Sequence, residues 1–236
     1  ADHLAGVAAD EIEDPRPYAE ILRQWSSLHP EFTYLPRKFK IAVNGAERDR
    51  AAIRTHDVGL QIVRDAAGGI GFQVFVGGGQ GRTPMIAQEI RAFLPVEHLV
   101  AYADSILRVY NLNGRRDNKY KARIKILVHE KGVDWMRREV EADFAARPDK
   151  TLMLPAEDVA AIRAYFALPP LHARAGHSAA ADARAARDAG FAAFRANNVF
   201  PHKISGHGAV TISLKPIGGI PGDVTADQME LVADLA

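Results

Sequence analysis

Apolar positions between residues 57 and 79, DVGLQIVRDAAGGIGFQVFVGGG, fall into two β-rich runs around DAAGG, which read most simply as a hairpin ended by the glycine cluster. Upstream, KFKIAV at 38–43 alternates as a strand does, and Asn44-Gly45 supplies a turn directly after it. Helical spacing takes over elsewhere. Ile21, Leu22 and Trp25 predict a helix over about 17–29, stopped by Pro30. After Pro84, MIAQEIRAFL and VEHLVAYADSILRVYNLNG each carry apolar residues three and four apart, predicting two amphipathic helices, the second opened by Pro95 and stopped by Gly114. Residues 115–131 fit two patterns. Lys119, Lys121, Arg123 and Lys125 alternate as on a strand face, whereas Tyr120, Ile124, Leu127 and Val128 share one helix face. Gly132 after Lys131 is a helix C-cap signal and favours helix; VDWMRREVEADFAA predicts a further one.

Composition shifts around 145–155, where Pro148 and Pro155 flank DKTLML, and residues 168–190 are alanine-rich with few large apolar side chains. That stretch reads as a linker holding a short helix. Beyond it, GHGAVTISLKP predicts a strand and TADQMELVADLA a helix capped by Thr225. One strand and one helix cannot close a core, so partner strands are expected in sequence beyond these residues. No internal repeat is evident.

With 47% hydrophobic and 25% charged residues over 236 positions, the composition is that of an ordinary globular protein, and disorder is not the expectation. The net charge of +1 gives no whole-molecule attraction to nucleic acid or anionic membrane, so any anion site must be local. The chain has no cysteine, which excludes disulfides and thiolate-ligated zinc or iron–sulfur clusters held by these residues and is compatible with a cytoplasmic location. No apolar run reaches the roughly 18–20 residues that span a bilayer, and the N-terminus has no signal-peptide pattern. It also lacks an initiator methionine, so a processed chain or a piece of something larger is expected.

Three segments concentrate candidate chemistry. The cluster GGGQGR at 77–82 follows a strand, where backbone N–H groups can cradle an anion, but it matches neither a dinucleotide fingerprint nor a P-loop; a tight hairpin exit is the plainer reading. GRRDNKYKARIK at 114–125 sets six basic residues against one acid, as a solvated helix face or as a site for a compact polyanion. Only Tyr120 is available there for base stacking, which disfavours nucleic acid. In LPRKFK, at 35–40, strand geometry would send Lys38 and Lys40 to one face about 7 Å apart, with Phe39 packing on the other. Two adjacent ammonium groups repel, and a bound anion offsets that cost; lysines guarding an edge strand against aggregation would look the same. HARAGH and HKISGH have five-residue spacings that fit no standard zinc motif, and His56-Asp57 reads as a turn contact. No protein metal site is expected.

Taken together, YLPRKFKIAV, HDVGL, GFQVFVGGGQGRTP and RRDNKYKARIKILVHEKG, in that order, resemble the first siroheme-binding domain of the siroheme-containing nitrite and sulfite reductases. NNVFPHKISGHGAVTISLKPIGG with PGDVTADQMELVADLA resembles the start of that family's second ferredoxin-like half-domain. The resemblance implies an α+β fold, a mixed sheet flanked by helices plus a partial ferredoxin-like α/β half-domain. It divides the chain into a siroheme-binding domain at 1–150, a linker region with helix at 151–190 and a truncated half-domain at 191–236.

The same resemblance implies an oxidoreductase that reduces sulfite to sulfide by six electrons at siroheme coupled to a [4Fe–4S] cluster, or nitrite to ammonia as the alternative, fed by a flavoprotein or ferredoxin. Lys38 and Lys40 match the family's paired anion-binding residues. Position 40 is asparagine in plant-type nitrite reductases and lysine in sulfite reductases, which tilts the substrate towards sulfite. Arg37, Gly77, Gly78, Gly79, Gln80, Arg82, Arg116, Asn118, Lys121 and Arg123 are implied to line the siroheme carboxylates. The family's cluster cysteines are absent, and the arginines of its first ferredoxin-like half would precede residue 1. These residues, an internal fragment working with the rest of the same polypeptide, are therefore expected to bind no cluster and to catalyse nothing alone.

Overall fold

Four strands pair in chain order: β1 (Ile41–Asn44), β2 (Val58–Arg64), β3 (Ile70–Val76) and β4 (Gln88–Pro95). β1 runs parallel to β2, while β2–β3 and β3–β4 are antiparallel, so the sheet is mixed. The coordinates are a computed structural model that describes residues 1–148, 151–174, 176–215 and 217–235. They divide into two compact units, Ala1–Leu171 and His172–Ala236.

In the first unit the β2–β3 hairpin follows the apolar runs, and Asp65 shapes its turn by accepting hydrogen bonds from the Ala67 and Gly69 N–H groups. Helix α1 (Arg16–Ser26) buries Tyr18, Ile21 and Leu22 on one face. It ends three residues before the predicted boundary: Leu28 takes a positive φ of 63°, and a separate turn, α2 (Pro30–Thr33), follows. Helix α3 (Leu99–Asn113) is buried over most of its length and packs on α5 (Val133–Ala145), while α6 (Ala156–Tyr165) lies against α1. The core joins these helices to the inward residues of the sheet, among them Ile62, Phe72, Val74 and Leu94.

Two expectations are corrected. MIAQEIRAFL is no helix: its residues 88–94 belong to β4. Two register shifts against β3, either side of Val74, break the period of two, so that Ile90 and Leu94 face the core while Ala92 is exposed. Their spacing of four is equally a helical one, and the sequence cannot separate the two readings. In the basic segment only α4 (Ile124–Lys131) is helical, closed by Gly132 at φ 88° as expected; residues 115–123 form an irregular loop.

The second unit contains α7 (Ala179–Arg187), α8 (Ala189–Asn198), a two-stranded ribbon of β5 (Val199–Pro201) and β6 (Gly208–Val210), and α9 (Ala226–Leu235). Of the predicted strand 206–216, residue 216 lies outside the described residues and the rest is regular only over β6. α9 opens with a reciprocal cap: Thr225 Oγ1 accepts from Gln228 N–H and Gln228 Oε1 accepts from Thr225 N–H.

Candidate anion site

Asp57, fully buried just before β2, organises the site. Its Oδ2 accepts from the Lys40 N–H at 2.9 Å, and both oxygens accept from the Arg123 guanidinium at 2.7–3.0 Å. Its main-chain carbonyl accepts from Gly77 N–H at 3.0 Å. One residue thus ties together the strap at 37–40, the glycine loop and the basic segment. Burial pushes the Asp57 carboxyl above the usual carboxylate range, against the opposing pull of Arg123.

The strap is extended but precedes the sheet, because β1 begins only at Ile41. Phe39 turns inward, stacked on Tyr110 with ring centroids 5.7 Å apart, while Lys38 and Lys40 are exposed. This is the predicted alternation, carried by a strap instead of a strand. Neither ammonium has a hydrogen bond or ion pair among the described residues.

Glycine is required in the loop by close approach. At Gly78 a Cβ would stand 2.4 Å from the Arg54 carbonyl oxygen and 2.5 Å from that of His56. Gly77, at φ 87°, has the Val128 side chain 2.9 Å from where its Cβ would be. Lys125, only 7% exposed, donates through Nζ to the carbonyls of Gln80 (2.9 Å) and Thr83 (2.6 Å), fastening the loop to α4. Burial pushes its pKa down and the neighbouring Arg123 charge adds to that, so its ammonium is held at an energetic cost.

Between loop and segment lies a concavity of about 320 Å³ lined by Arg37, Gln80, Arg82, Thr83, Tyr120, Lys121, Arg123, Lys125 and Ile126. Five side chains are cationic and none is acidic. Asp57 matches Arg123 from below, whereas Arg37, Arg82, Lys121 and Lys125 make no ion pair among the described residues. Arg37 is aimed by a hydrogen bond to the Lys119 carbonyl and lies over the Tyr120 ring at 5.9 Å.

The structure therefore gathers Arg37, Gln80, Arg82, Lys121 and Arg123 into one surface. Gly77, Gly78 and Gly79 form its buried backing. Arg116 is turned elsewhere, bonded to the Tyr34 carbonyl and to Asn111, and Asn118 closes a local turn by accepting from Tyr120 N–H and Lys121 N–H. Lys38 and Lys40 stand on the strap next to Arg37, outside the lining. Asp57 and Lys125 are the residues that sequence reasoning passed over. Asp57 sat in HDVGL and Lys125 in the basic run, but burial alone distinguishes them from their neighbours.

A cation-rich wall of this kind suits a carboxylate-bearing macrocycle or a small oxyanion. It offers no thiolate, and the sequence contains none, so these residues do not fit an iron–sulfur cluster. Among the described residues no group of three or more His, Cys, Asp or Glu side chains could hold a metal ion.

Residues 1–147, which include the whole site, match the nitrite and sulphite reductase 4Fe-4S domain family. The chain belongs to that family. Sulfite reductase [ferredoxin] 1 of Mycolicibacterium paratuberculosis is 33% identical over 144 residues, 61% of this chain and 26% of that protein. The sulfite reductase [NADPH] hemoprotein beta-component of Myxococcus xanthus is 34% identical over 116 residues, 46% of this chain and 20% of that protein. The solved structure of the Mycobacterium tuberculosis NirA protein superposes with a TM-score of 0.55 at 33% identity, covering 61% of this chain and 26% of that one. The chain thus spans about a quarter of the length of the ferredoxin-type relatives it matches, and the family match at 1–147 falls within the first unit. No described helix is long and apolar enough to cross a membrane.

Proposed function

We propose that the cation-lined concavity holds the carboxylates of siroheme and that the protein serves in the six-electron reduction of sulfite to sulfide, drawing electrons from a ferredoxin or flavoprotein donor. The observation that carries this reading is the convergence of four unpaired cations and the clamped Arg123 on one surface within the family-matched residues. The residues that would hold the macrocycle are Arg37, Arg82, Lys121 and Arg123, with Gln80 as a neutral donor. When bound, siroheme supplies the iron at which substrate accepts electrons.

The chain's own residues act on charge and protons. Lys38 and Lys40, held out to solvent while Phe39 anchors the strap, neutralise the incoming dianion. Taking sulfur from +4 to −2 removes three oxygens as water, and each departure needs two protons; an ammonium at hydrogen-bond distance can donate one and be recharged from solvent. Lysine suits that role better than arginine, which does not release its proton. Lys40 favours sulfite over nitrite.

In the complete enzyme, loaded with siroheme and cluster, Lys38→Ala and Lys40→Ala should each lower sulfite turnover by about 10²-fold or more, leaving the fold intact because neither side chain is buried. Sulfite and nitrite kinetics at wild-type level in both variants would remove the lysines from the mechanism.

A further inference from the structure

We infer that Asp57 is the positioning residue of the anion site: its carboxylate couples the 37–40 strap to the concavity, so that an anion seated on Arg123 also orders Lys38 and Lys40. The inference rests on the concavity being an anion site, and it adds a residue that touches neither macrocycle nor substrate.

The geometry gives the coupling a physical route. Arg123 spends Nε and Nη2 on Asp57, in a two-pronged clamp that fixes the plane of the guanidinium and leaves Nη1 for a ligand. The same Oδ2 that accepts from Arg123 Nη2 accepts from the Lys40 N–H, and the Asp57 carbonyl holds Gly77. Arg123 is the carboxylate's salt-bridge partner among the described residues, so a shift of Arg123 towards a ligand alters the bond to the strap. Asparagine in its place would present an NH₂ to the guanidinium, donor against donor, while keeping size and an acceptor for one neighbour. A neutral group also suits this buried spot, so the Asn variant is expected to fold.

The test uses the full chain, with benzenehexacarboxylate as a planar polyanionic probe and amide hydrogen exchange as the readout. In wild type the probe should slow exchange at 37–40, above all at the Lys40 N–H that donates to the Asp57 carboxylate. In Asp57→Asn, exchange at 37–40 without probe should rise by about tenfold or more, and the probe should no longer protect the strap; Asp57→Glu should restore part of that protection. Arg123→Lys, which keeps the charge but loses the fork, should break the probe's effect on the strap. Unchanged exchange at 37–40 in Asp57→Asn overturns the inference, as does equal protection by the probe in wild type, Asp57→Asn and Arg123→Lys. Siroheme binding by the wild-type chain is scored separately, so loss of the siroheme reading and loss of the Asp57 coupling give different results.

Discussion

At the scale of single residues, the site is built from charges whose partners the sequence does not reveal. Arg116 and Arg123 look alike in RRDNKYKAR, yet one is spent on the Tyr34 carbonyl and the other clamps a buried carboxylate. The glycines and the excess of cations were legible, because few other residue types tolerate such close approach or leave so much charge unmatched. The buried acid was not, since a single aspartate before a strand reads as a turn. Lys125 makes a specific expectation. Its depressed pKa means that its contribution to stability is present above 10.5 and is lost as pH falls through the folded value, so at neutral pH the charged form is carried at a cost. Lys125→Met should therefore change global stability by no more than about 1 kcal/mol, while trypsin cleavage after Arg82 accelerates as the loop loses its fastening; a large drop in denaturation midpoint with unchanged cleavage would contradict this. Tyr110, which stacks on Phe39 and donates to the Ala122 carbonyl at 2.6 Å, is pushed by burial from 10.0 up to about 12. A raised pKa gives stability that is complete below pH 10 and lost as pH rises through about 12. Tyrosinate absorbance and an unfolding curve taken across that window should move together, and ionisation of Tyr110 near pH 10 would refute the packing described for the strap.

At the scale of elements, legibility followed periodicity. The β2–β3 hairpin, α3 and α5 carry one unambiguous period each and stand where the pattern placed them. β4 did not, because two bulges against β3 leave its buried residues at a spacing that serves helix and strand equally. Cross-strand packing provides the check. A Cβ on Gly71 of β3 would lie 2.5 Å from the Phe93 ring and 2.7 Å from the Leu94 carbonyl oxygen, contacts that exist only if 88–95 runs as a strand beside it. Gly71→Ala should destabilise the protein by about 1–3 kcal/mol in urea unfolding, and a neutral effect would argue against the β3–β4 pairing. The lysine strap shows the converse case: alternation was read correctly but assigned to a strand, since the Lys40 carbonyl accepts from Val58 N–H of β2 while its own N–H goes to the Asp57 side chain instead of a ladder partner.

At the scale of the whole molecule, near-neutral net charge hides a strongly asymmetric surface. Thirty basic and twenty-nine acidic residues balance overall, yet the concavity gathers five cations without an acid on its wall. Such a surface attracts a polyanion locally without making the protein a general polyanion binder, and its grip should weaken as salt screens the exposed cations over about 8–10 Å at 0.1–0.15 M. Titration of the 236-residue chain with siroheme, followed by visible absorbance, tests that claim most directly. Binding should be saturable and should weaken with added salt and by about tenfold or more in an Arg82→Ala/Lys121→Ala variant; absent binding, or equal affinity in wild type and variant, would contradict a siroheme site on this wall.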